Sequence, residues 1–316
     1  MPISPNKKIR LIFMGTPDFS LPGLQALIDA PHFDIVGVFT QPDKPVGRKQ
    51  IVMAPPVKVL ATEHKLAIFQ PQKIKTATEI IKDLAPDIIV VIAYGQIIPP
   101  EILAIPQFGC INVHASLLPR YRGAACLNAP ILNGDKETGV TIMQMDAGLD
   151  TGPILRQSKI ELKGQETLEE LHDQLSLLGA GILVTTLDDF IAKKITPQSQ
   201  NNSLATYIKT LKKTDGKIDL NKSAQEIERM IRAYNPWPGT YVLNNNKTIK
   251  IIAVTNEVIK TQKNKIGELF LHNGQLAIQC GQDALLILKL QLEGGKIMKS
   301  EDWLRGNKDA IGLILQ

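Results

Sequence analysis

Three side chains of this sequence have the types and spacing to do chemistry together: Asn112, His114 and Asp150. Asn112 and His114 lie in GCINVHASLLP (109–119), a short strand that runs into a polar tip. Asp150 lies in a second polar turn, MDAGLDTGP (145–153), which also holds Asp146 and Gly152. Between the two runs TGVTIMQM (138–145), apolar enough to be a buried strand. An imidazole can act as a base or, once protonated, as a donor. Asn112 offers two N–H donors and no charge. A carboxylate beside the imidazole raises its pKa and fixes its orientation. Donors aimed at a developing oxyanion lower the barrier of acyl transfer by about 3 kcal/mol each. The set therefore suits attack of an amine on a carbonyl without a covalent enzyme intermediate. Each residue also has a plainer reading: an Asn that caps a turn, a His that is a satisfied structural group. Spacing alone leaves both open.

Other chemistries fit less well. Ser116 has no GxSxG elbow around it. Cys126 falls in a stretch expected to be helical, with no local sign of activation. There is no HExxH, and His32, His64, His172 and His272 are scattered, so no metal is expected. Cys110, Cys126 and Cys280 are odd in number and far apart, which argues against a disulfide framework. With no signal peptide recognisable in MPISPNKKIRLIFMG and no apolar run expected to cross a membrane, the expectation is a cytoplasmic protein without a membrane partner.

The elements that must position the three residues follow from periodicity. IRLIFMG (9–15), a helical stretch with Leu21, Leu24, Leu27 and Ile28 on one face, and FDIVGVFT (33–40) read as a parallel βαβ unit. Its turn, GTPDFSLPG, has glycine only at 15 and 23 and lacks the dinucleotide fingerprint GxGxxG. Residues 41–58 read as a loop with four prolines, carrying Lys44, Arg48, Lys49 and Lys58; its length marks it as functional or disordered. PDIIVVIAYG (86–95) is the pattern of a central strand buried on both faces. Ligands of open α/β sheets bind beyond the carboxyl ends of strands, which makes Tyr94, Gly95, Gln96, Ile97 and Ile98 candidate pocket lining. RGAACLNAPILNGD (122–135) reads as a helix, starting either at Arg122 or after Gly123, ILRQSKIEL as an outer strand, and a long helix starts at Thr167. TPQSQNNSLATYIKTLKKTDGKID (196–219) is polar and aperiodic, a linker. Beyond it, Ser223 is a candidate N-cap, and short β-like segments separated by NNNK, HNG, CGQD and EGG suggest a small barrel. The expected division is a catalytic domain over 1–193, a linker over 194–210 and a second domain over 211–316. The net charge of +5 is uneven: from residue 207 onward 17 lysines and arginines face 11 acids, against 19 and 20 before it. Such an excess is either a solvated surface or a patch that meets a polyanion.

FMGTPDFSLPGL, FTQPDKPVGR, VVIAYGQIIP, GCINVHASLLPRYRGAA, TGVTIMQMDAGLDTGPIL and IRAYNPWPGTY together resemble the methionyl-tRNA formyltransferases, and GELFLHNGQLAIQCGQDALLILKLQLEGGK extends the likeness into the C-terminal part. The central block is shared with other folate-dependent formyltransferases. The resemblance implies an α/β fold with a Rossmann-like, open and mostly parallel sheet, followed by a small OB-like β-barrel. It implies formyl transfer from 10-formyltetrahydrofolate, as cosubstrate, to the α-amine of initiator methionyl-tRNA for translation initiation, by a monomer. Asn112, His114 and Asp150 take the catalytic roles. Ser116, Leu117, Leu118 and Pro119, with Tyr94, Gly95, Gln96, Ile97 and Asp146, take the folate-contacting ones. Lys44, Arg48, Lys49, Lys212 and Lys213 are the expected tRNA contacts. Two departures stand out: Cys126 replaces the family's usual proline, and Lys49, Gln50, Ile51, Val52 and Met53 follow Arg48 where glycine and lysines are common. A formyltransferase of a small amine, such as a sugar nucleotide, would keep its activity without residues 211–316. An RNA-binding protein on the same scaffold would be indifferent to His114→Ala.

Overall fold

A computed structural model describes residues 8–47 and 50–316. The chain divides into two compact units: Met1–Cys126 with Thr138–Ile160 and His172–Ile208, and Leu127–Glu137 with Glu161–Leu171 and Lys209–Gln316. Segments from the middle of the chain thus join the C-terminal unit, and most of the expected linker belongs to the first.

The first unit is built on a seven-stranded sheet. Its strands are β1 (Ile9–Gly15), β2 (Phe33–Phe39), β5 (Ile68–Phe69), β6 (Ile88–Ile92), β7 (Cys110–His114), β8 (Glu137–Gln144) and β9 (Ile154–Glu161), in the order β5-β2-β1-β6-β7-β8-β9. β5, β2, β1, β6 and β7 are parallel, and β8 runs antiparallel to β7 with Thr141 opposite His114 and Met143 opposite Asn112. All five residues of β6 are buried, as its unbroken β-branched run predicts for a strand covered on both faces. On one face Ile12, Met14, Ile89 and Val91 pack with Phe39, Ile81 and Ile102. Ile81 and Ile102 come from the short helices α3 (Thr78–Asp83) and α4 (Pro100–Leu103). α1 (Leu21–Ile28) and α2 (Pro56–Glu63) precede them in the chain.

Three sequence expectations change here. The 41–58 loop contains a two-stranded hairpin, β3 (Lys44–Val46) paired with β4 (Ile51–Met53), and its last residues already belong to α2. Only Ala129–Asn133 of the expected 122–135 helix is helical (α5), because the chain from Gly123 to Asn128 is held in turns by tertiary contacts. α6 (Leu168–Ile191) is, by length and composition, long and apolar enough to cross a membrane, which the search for apolar runs missed. Its fully buried leucines 171, 175, 183 and 187 recur at helical spacing, and at Gly179 its backbone comes close to Val113 of β7. This is the pattern of a helix packed on a sheet.

In the second unit α7 (Ala224–Tyr234) begins in a capping box: Ser223 Oγ accepts from Glu226 N, and the Glu226 carboxylate accepts from Ser223 N. The strands β10 (Thr240–Asn244), β11 (Lys247–Val254), β12 (Leu269–His272), β13 (Gln275–Gln279), β14 (Ala284–Leu292) and β15 (Ile297–Lys299) form an antiparallel sheet in the order β10-β11-β14-β13-β12, with β15 on β14. α8 (Ser300–Gly306) follows, its Trp303 in the core. The HNG signal is the β12–β13 hairpin turn, with Asn273 at φ 51° and Gly274 at φ 79°, the two positive values such a turn demands. The two edge strands are joined through residues 312–316. Leu243 of β10 exchanges hydrogen bonds with Gln316, while Gly312 N donates to Leu269 O and Leu315 N to Gly267 O beside β12. The sheet thereby closes into the expected small barrel.

Candidate active site at the end of strand β7

β7 delivers Asn112 and His114 to one face at its carboxyl end. Neither end of the strand is free to move: its backbone pairs with β6 on one side and β8 on the other. Asn112 is half-buried, and its amide makes no side-chain hydrogen bond within the described residues, so both N–H donors are available. His114 is 6 % exposed. Its Nε2 lies 3.0 Å from the Tyr121 carbonyl oxygen, and its Nδ1 lies 3.7 Å from Asp150 Oδ2. A carbonyl only accepts, so Nε2 carries a hydrogen, and a neutral ring would then point the Nδ1 lone pair at a carboxylate. Protonation removes that conflict. Burial by itself pushes the His114 pKa down; the Cys126 sulfur beside the ring, the Asp150 carboxylate and the Tyr121 carbonyl outweigh it and raise the value to about 9.

Asp150 sits at φ 54°, in the left-handed region that non-glycine residues rarely enter. Its Oδ2 also accepts the backbone N–H of Gly123 at 2.7 Å. Gly123 itself has φ 109°, and a Cβ there would meet the Ile208 carbonyl oxygen at 2.2 Å. Only glycine lets residues 121–123 turn so that Tyr121 O reaches the imidazole while Gly123 N reaches the carboxylate.

The other predicted residues divide. Ser116 is fully buried, donating to Arg120 O at 2.6 Å; Leu118 is buried and its N–H donates to Thr141 Oγ1 at 3.0 Å; the Leu118–Pro119 bond is cis. Their side chains are committed to the fold. Leu117 and Pro119 are half-buried or buried neighbours in the same turn. In the loop after β6 the Tyr94 ring is in the core, its hydroxyl buried without a hydrogen-bond partner and its pKa raised by burial to about 12. The Tyr94 carbonyl accepts from Thr16 Oγ1 at 2.8 Å and from Gln41 Nε2 at 3.3 Å. Gly95 has φ 84°, Gln96 Oε1 accepts from Ile74 N at 2.6 Å, and Ile97 is 92 % exposed. Asp146 Oδ1 accepts from Gly148 N at 3.0 Å and Thr151 Oγ1 at 2.6 Å, bracing the 145–151 turn. Among the expected tRNA contacts, Lys44 is exposed at the start of β3 and Lys212 and Lys213 lie on an exposed turn; Arg48 and Lys49 lie outside the described residues. β4 presents Ile51, Val52 and Met53 to solvent. Among the described residues no group of three or more His, Cys, Asp or Glu could hold a metal ion.

Sequence reading assigned no roles to Tyr121 and Gly123, whose contributions come from the backbone, nor to Arg122 and Gln200. Arg122 is 1 % exposed and donates to Gln200 Oε1, Asn202 Oδ1 and the Tyr207 hydroxyl. A buried arginine in a polar turn is a detectable signal; Gln200, in a segment without period, gives none.

The site and the sheet beneath it are those of a formyltransferase: the Formyl transferase family matches residues 7–187, and the Formyl transferase C-terminal domain matches 210–308. The chain is 45 % identical over 310 residues to the methionyl-tRNA formyltransferase of Geobacter metallireducens, covering 97 % of this chain and 98 % of that one. It is 41 % identical over 313 residues to that of Clostridium novyi, covering 98 % and 100 %. In fold it is similar to the N-formyltransferase from Helicobacter canadensis solved with folinic acid and dTDP-3-aminofucose (23 % identity, TM-score 0.65, 88 % of this chain and 99 % of that one). It is also similar to HypX from Aquifex aeolicus in complex with tetrahydrofolic acid (14 % identity, TM-score 0.62, 96 % and 48 %). The chain belongs to the methionyl-tRNA formyltransferase family.

Proposed function

We propose that Asn112, His114 and Asp150 carry formyl transfer from 10-formyltetrahydrofolate to the α-amino group of initiator methionyl-tRNA, the step that prepares the tRNA for translation initiation. The observation that carries this reading is the placement of His114, with Nε2 against Tyr121 O at 3.0 Å and Nδ1 against Asp150 Oδ2 at 3.7 Å. A ring held between two acceptors is a cation and a donor at neutral pH rather than a nucleophile. When the amine attacks the formyl carbon, negative charge grows on the formyl oxygen; the Asn112 amide supplies donors to it, and the positive charge of the imidazolium stabilises it. The amine becomes more acidic as its bond forms, and Asp150 accepts its proton, directly or through water; the bond from the formyl carbon to N10 of the folate then breaks, and N10 leaves as tetrahydrofolate with that proton.

A folate fits the loop after β6. Ile97 offers an exposed apolar face at the carboxyl end of a central strand, and the backbone around Gly95 is braced by Gln96 and Thr16 rather than by a packed side chain. Residues 93–98, the Ser116–Pro119 turn and the 145–149 turn would hold the pterin. Lys44, Arg48, Lys49, Lys212 and Lys213 are the proposed phosphate contacts. The catalytic part would end near 193, with 194–210 as linker and 211–316 as RNA-binding part. The setting is cytoplasmic, the protein acts as a monomer, and the chemistry needs no metal.

The test is an assay with 10-formyltetrahydrofolate and charged initiator tRNA. Formyl-methionyl-tRNA is expected, and its absence defeats the reading. Lys212→Ala with Lys213→Ala should weaken use of the tRNA and reduce the salt slope of its binding by about one per lysine, at unchanged KM for the folate. A slope equal to that of the parent would remove these lysines from the interface.

A further inference from the structure

We infer that Gln200, clamped by Arg122, is a positioning residue that sets Asp150 against His114. The inference rests on the catalytic reading of Asp150. One amide nitrogen, Gln200 Nε2, donates to two carbonyl oxygens, those of Asp150 at 2.8 Å and Gly152 at 2.7 Å. Gln200 Oε1 in turn accepts from Arg122 Nε at 3.1 Å and Nη2 at 2.7 Å. This settles which end of the amide is which. A flipped amide would set Oε1 against two carbonyls, which cannot donate, and NH2 against a guanidinium, which cannot accept.

Asp150 needs such a brace because it holds φ 54° without being glycine, a conformation that costs free energy unless the surroundings impose it. Holding the Asp150 carbonyl fixes the peptide plane that follows Asp150, and holding the Gly152 carbonyl fixes the turn two residues on, which together restrain the direction of the Asp150 Cβ. The carboxylate then meets Gly123 N at 2.7 Å and His114 Nδ1 at 3.7 Å. The clamp is itself anchored. Arg122 Nη2 donates to Asn202 Oδ1 at 2.8 Å and Nη1 to the Tyr207 hydroxyl at 2.9 Å, with the guanidinium 5.7 Å from the Tyr207 ring centroid. Backbone bonds from Arg122 N to Thr206 O and from Ile208 N to Arg122 O, both 2.8 Å, tie the two segments together. A guanidinium that is 1 % exposed and bonded to neutral oxygens is an expensive way to join two loops, since buried charge is destabilising without an acid to pair with. What it provides is rigidity: one face of the arginine sets Gln200, while the neighbouring backbone at Gly123 receives the Asp150 carboxylate. Arg122 and Gly123 are consecutive, so the carbonyl side and the carboxylate side of Asp150 are referenced to the same turn.

The experiment compares Gln200→Met, Asp150→Asn and the double variant in the full-length protein, with Tm measured for each so that all rates are taken below the transitions. Methionine keeps the length of the side chain and removes both its donors and its acceptor. For Gln200→Met, kcat should fall by about 10- to 100-fold, the loss typical of a misplacement near 1 Å, with KM for both substrates within about threefold. The alkaline limb of its kcat profile should move to lower pH, because an Asp150 carboxylate drawn away from Nδ1 no longer holds the imidazolium. In the Asp150→Asn background the further change at Gln200 should cost less than about threefold, since residues acting as a unit are not additive. Full multiplicative loss with an unmoved limb would make Gln200 a structural residue only and overturn the inference. A slow Asp150→Asn beside a normal Gln200→Met would overturn the clamp alone; a normal Asp150→Asn would overturn the catalytic reading and the clamp with it.

Discussion

At the scale of single residues, the chemistry depends on which protons His114 holds. Its pKa is raised from 6.5 to about 9, burial opposing and Cys126, Asp150 and Tyr121 O outweighing it. The group is thus protonated through the neutral range, and turnover that needs an imidazolium should fall as pH rises through about 9. The same shift has a stability consequence of defined sign. Because the folded value exceeds the unfolded one, its contribution to stability is complete below 6.5 and is lost as pH climbs toward 9. A His114→Gln variant should therefore lack that decline, which chemical denaturation at stepped pH can follow. NMR titration of the ring should place the proton loss near 9 in the parent and lower in Asp150→Asn. A ring that titrates near 6.5 in both would remove the imidazolium from the mechanism. Cys126 brings a sulfur to the imidazole of His114 in this chain.

At the scale of elements, the strand that carries the site is held by a helix through the absence of a side chain. A Cβ on Gly179 of α6 would meet Val113 Cγ1 of β7 at 2.9 Å and Val140 Cγ1 of β8 at 3.4 Å, whereas one on Gly181 would meet nothing within 4 Å. Gly179→Ala should destabilise by about 1–3 kcal/mol through overpacking, and it should disturb kcat because Val113 lies between Asn112 and His114. Gly181→Ala, two residues away on an exposed face, should stabilise by about 0.5–1 kcal/mol through helix propensity and leave kcat alone. Urea denaturation of the two variants should give shifts of opposite sign; shifts of the same sign would mean that α6 does not seat on β7 at Gly179. Elements of this kind were partly legible in the sequence. The β-branched run at 88–92 announced a central strand, and Asn273–Gly274 announced a hairpin, because each signal is local and its cause is local. The 122–135 helix was misread because the backbone at Gly123 answers to Ile208 and Asp150, residues far along the chain. The same distance hid Gln200: its segment has no hydrophobic period, so it looked like a linker, and its polar side chains acquire meaning only against Arg122 and the Asp150 turn. The nearness of His114 and Asp150, 3.7 Å apart, follows from the strand order: His114 ends one strand and Asp150 ends the loop after the next.

At the scale of the molecule, two compact units must each be stable, and the C-terminal one depends on residues 312–316. Edge strands left open invite pairing with other chains. Here β10 and the approach to β12 are both occupied by residues 312–316, through Leu243 N to Gln316 O at 2.6 Å, Gln316 N to Leu243 O at 2.8 Å, Gly312 N to Leu269 O at 2.7 Å and Leu315 N to Gly267 O at 2.9 Å. The same five residues place one side chain in the core: Leu315 is 4 % exposed, while Ile314 beside it is 49 % exposed. A hydrogen-bonded closure and a hydrophobic plug can be separated by mutation. Leu315→Ala should destabilise the C-terminal unit by about 2–4 kcal/mol, the cost of truncating a buried leucine, and Ile314→Ala by no more than about 0.5 kcal/mol. Ending the chain at Ile311 removes both contributions and uncovers two strand edges, so it should lower the unfolding transition of that unit further and promote aggregation. With folate bound by the other unit, as proposed, its binding should survive in all three variants, whereas use of the tRNA should fall in the order Ile314→Ala, Leu315→Ala, truncation. Calorimetry with separate assays for the two substrates reads the result. If the truncated protein kept its tRNA affinity and its upper transition, barrel closure would not be what makes the C-terminal unit a binding surface.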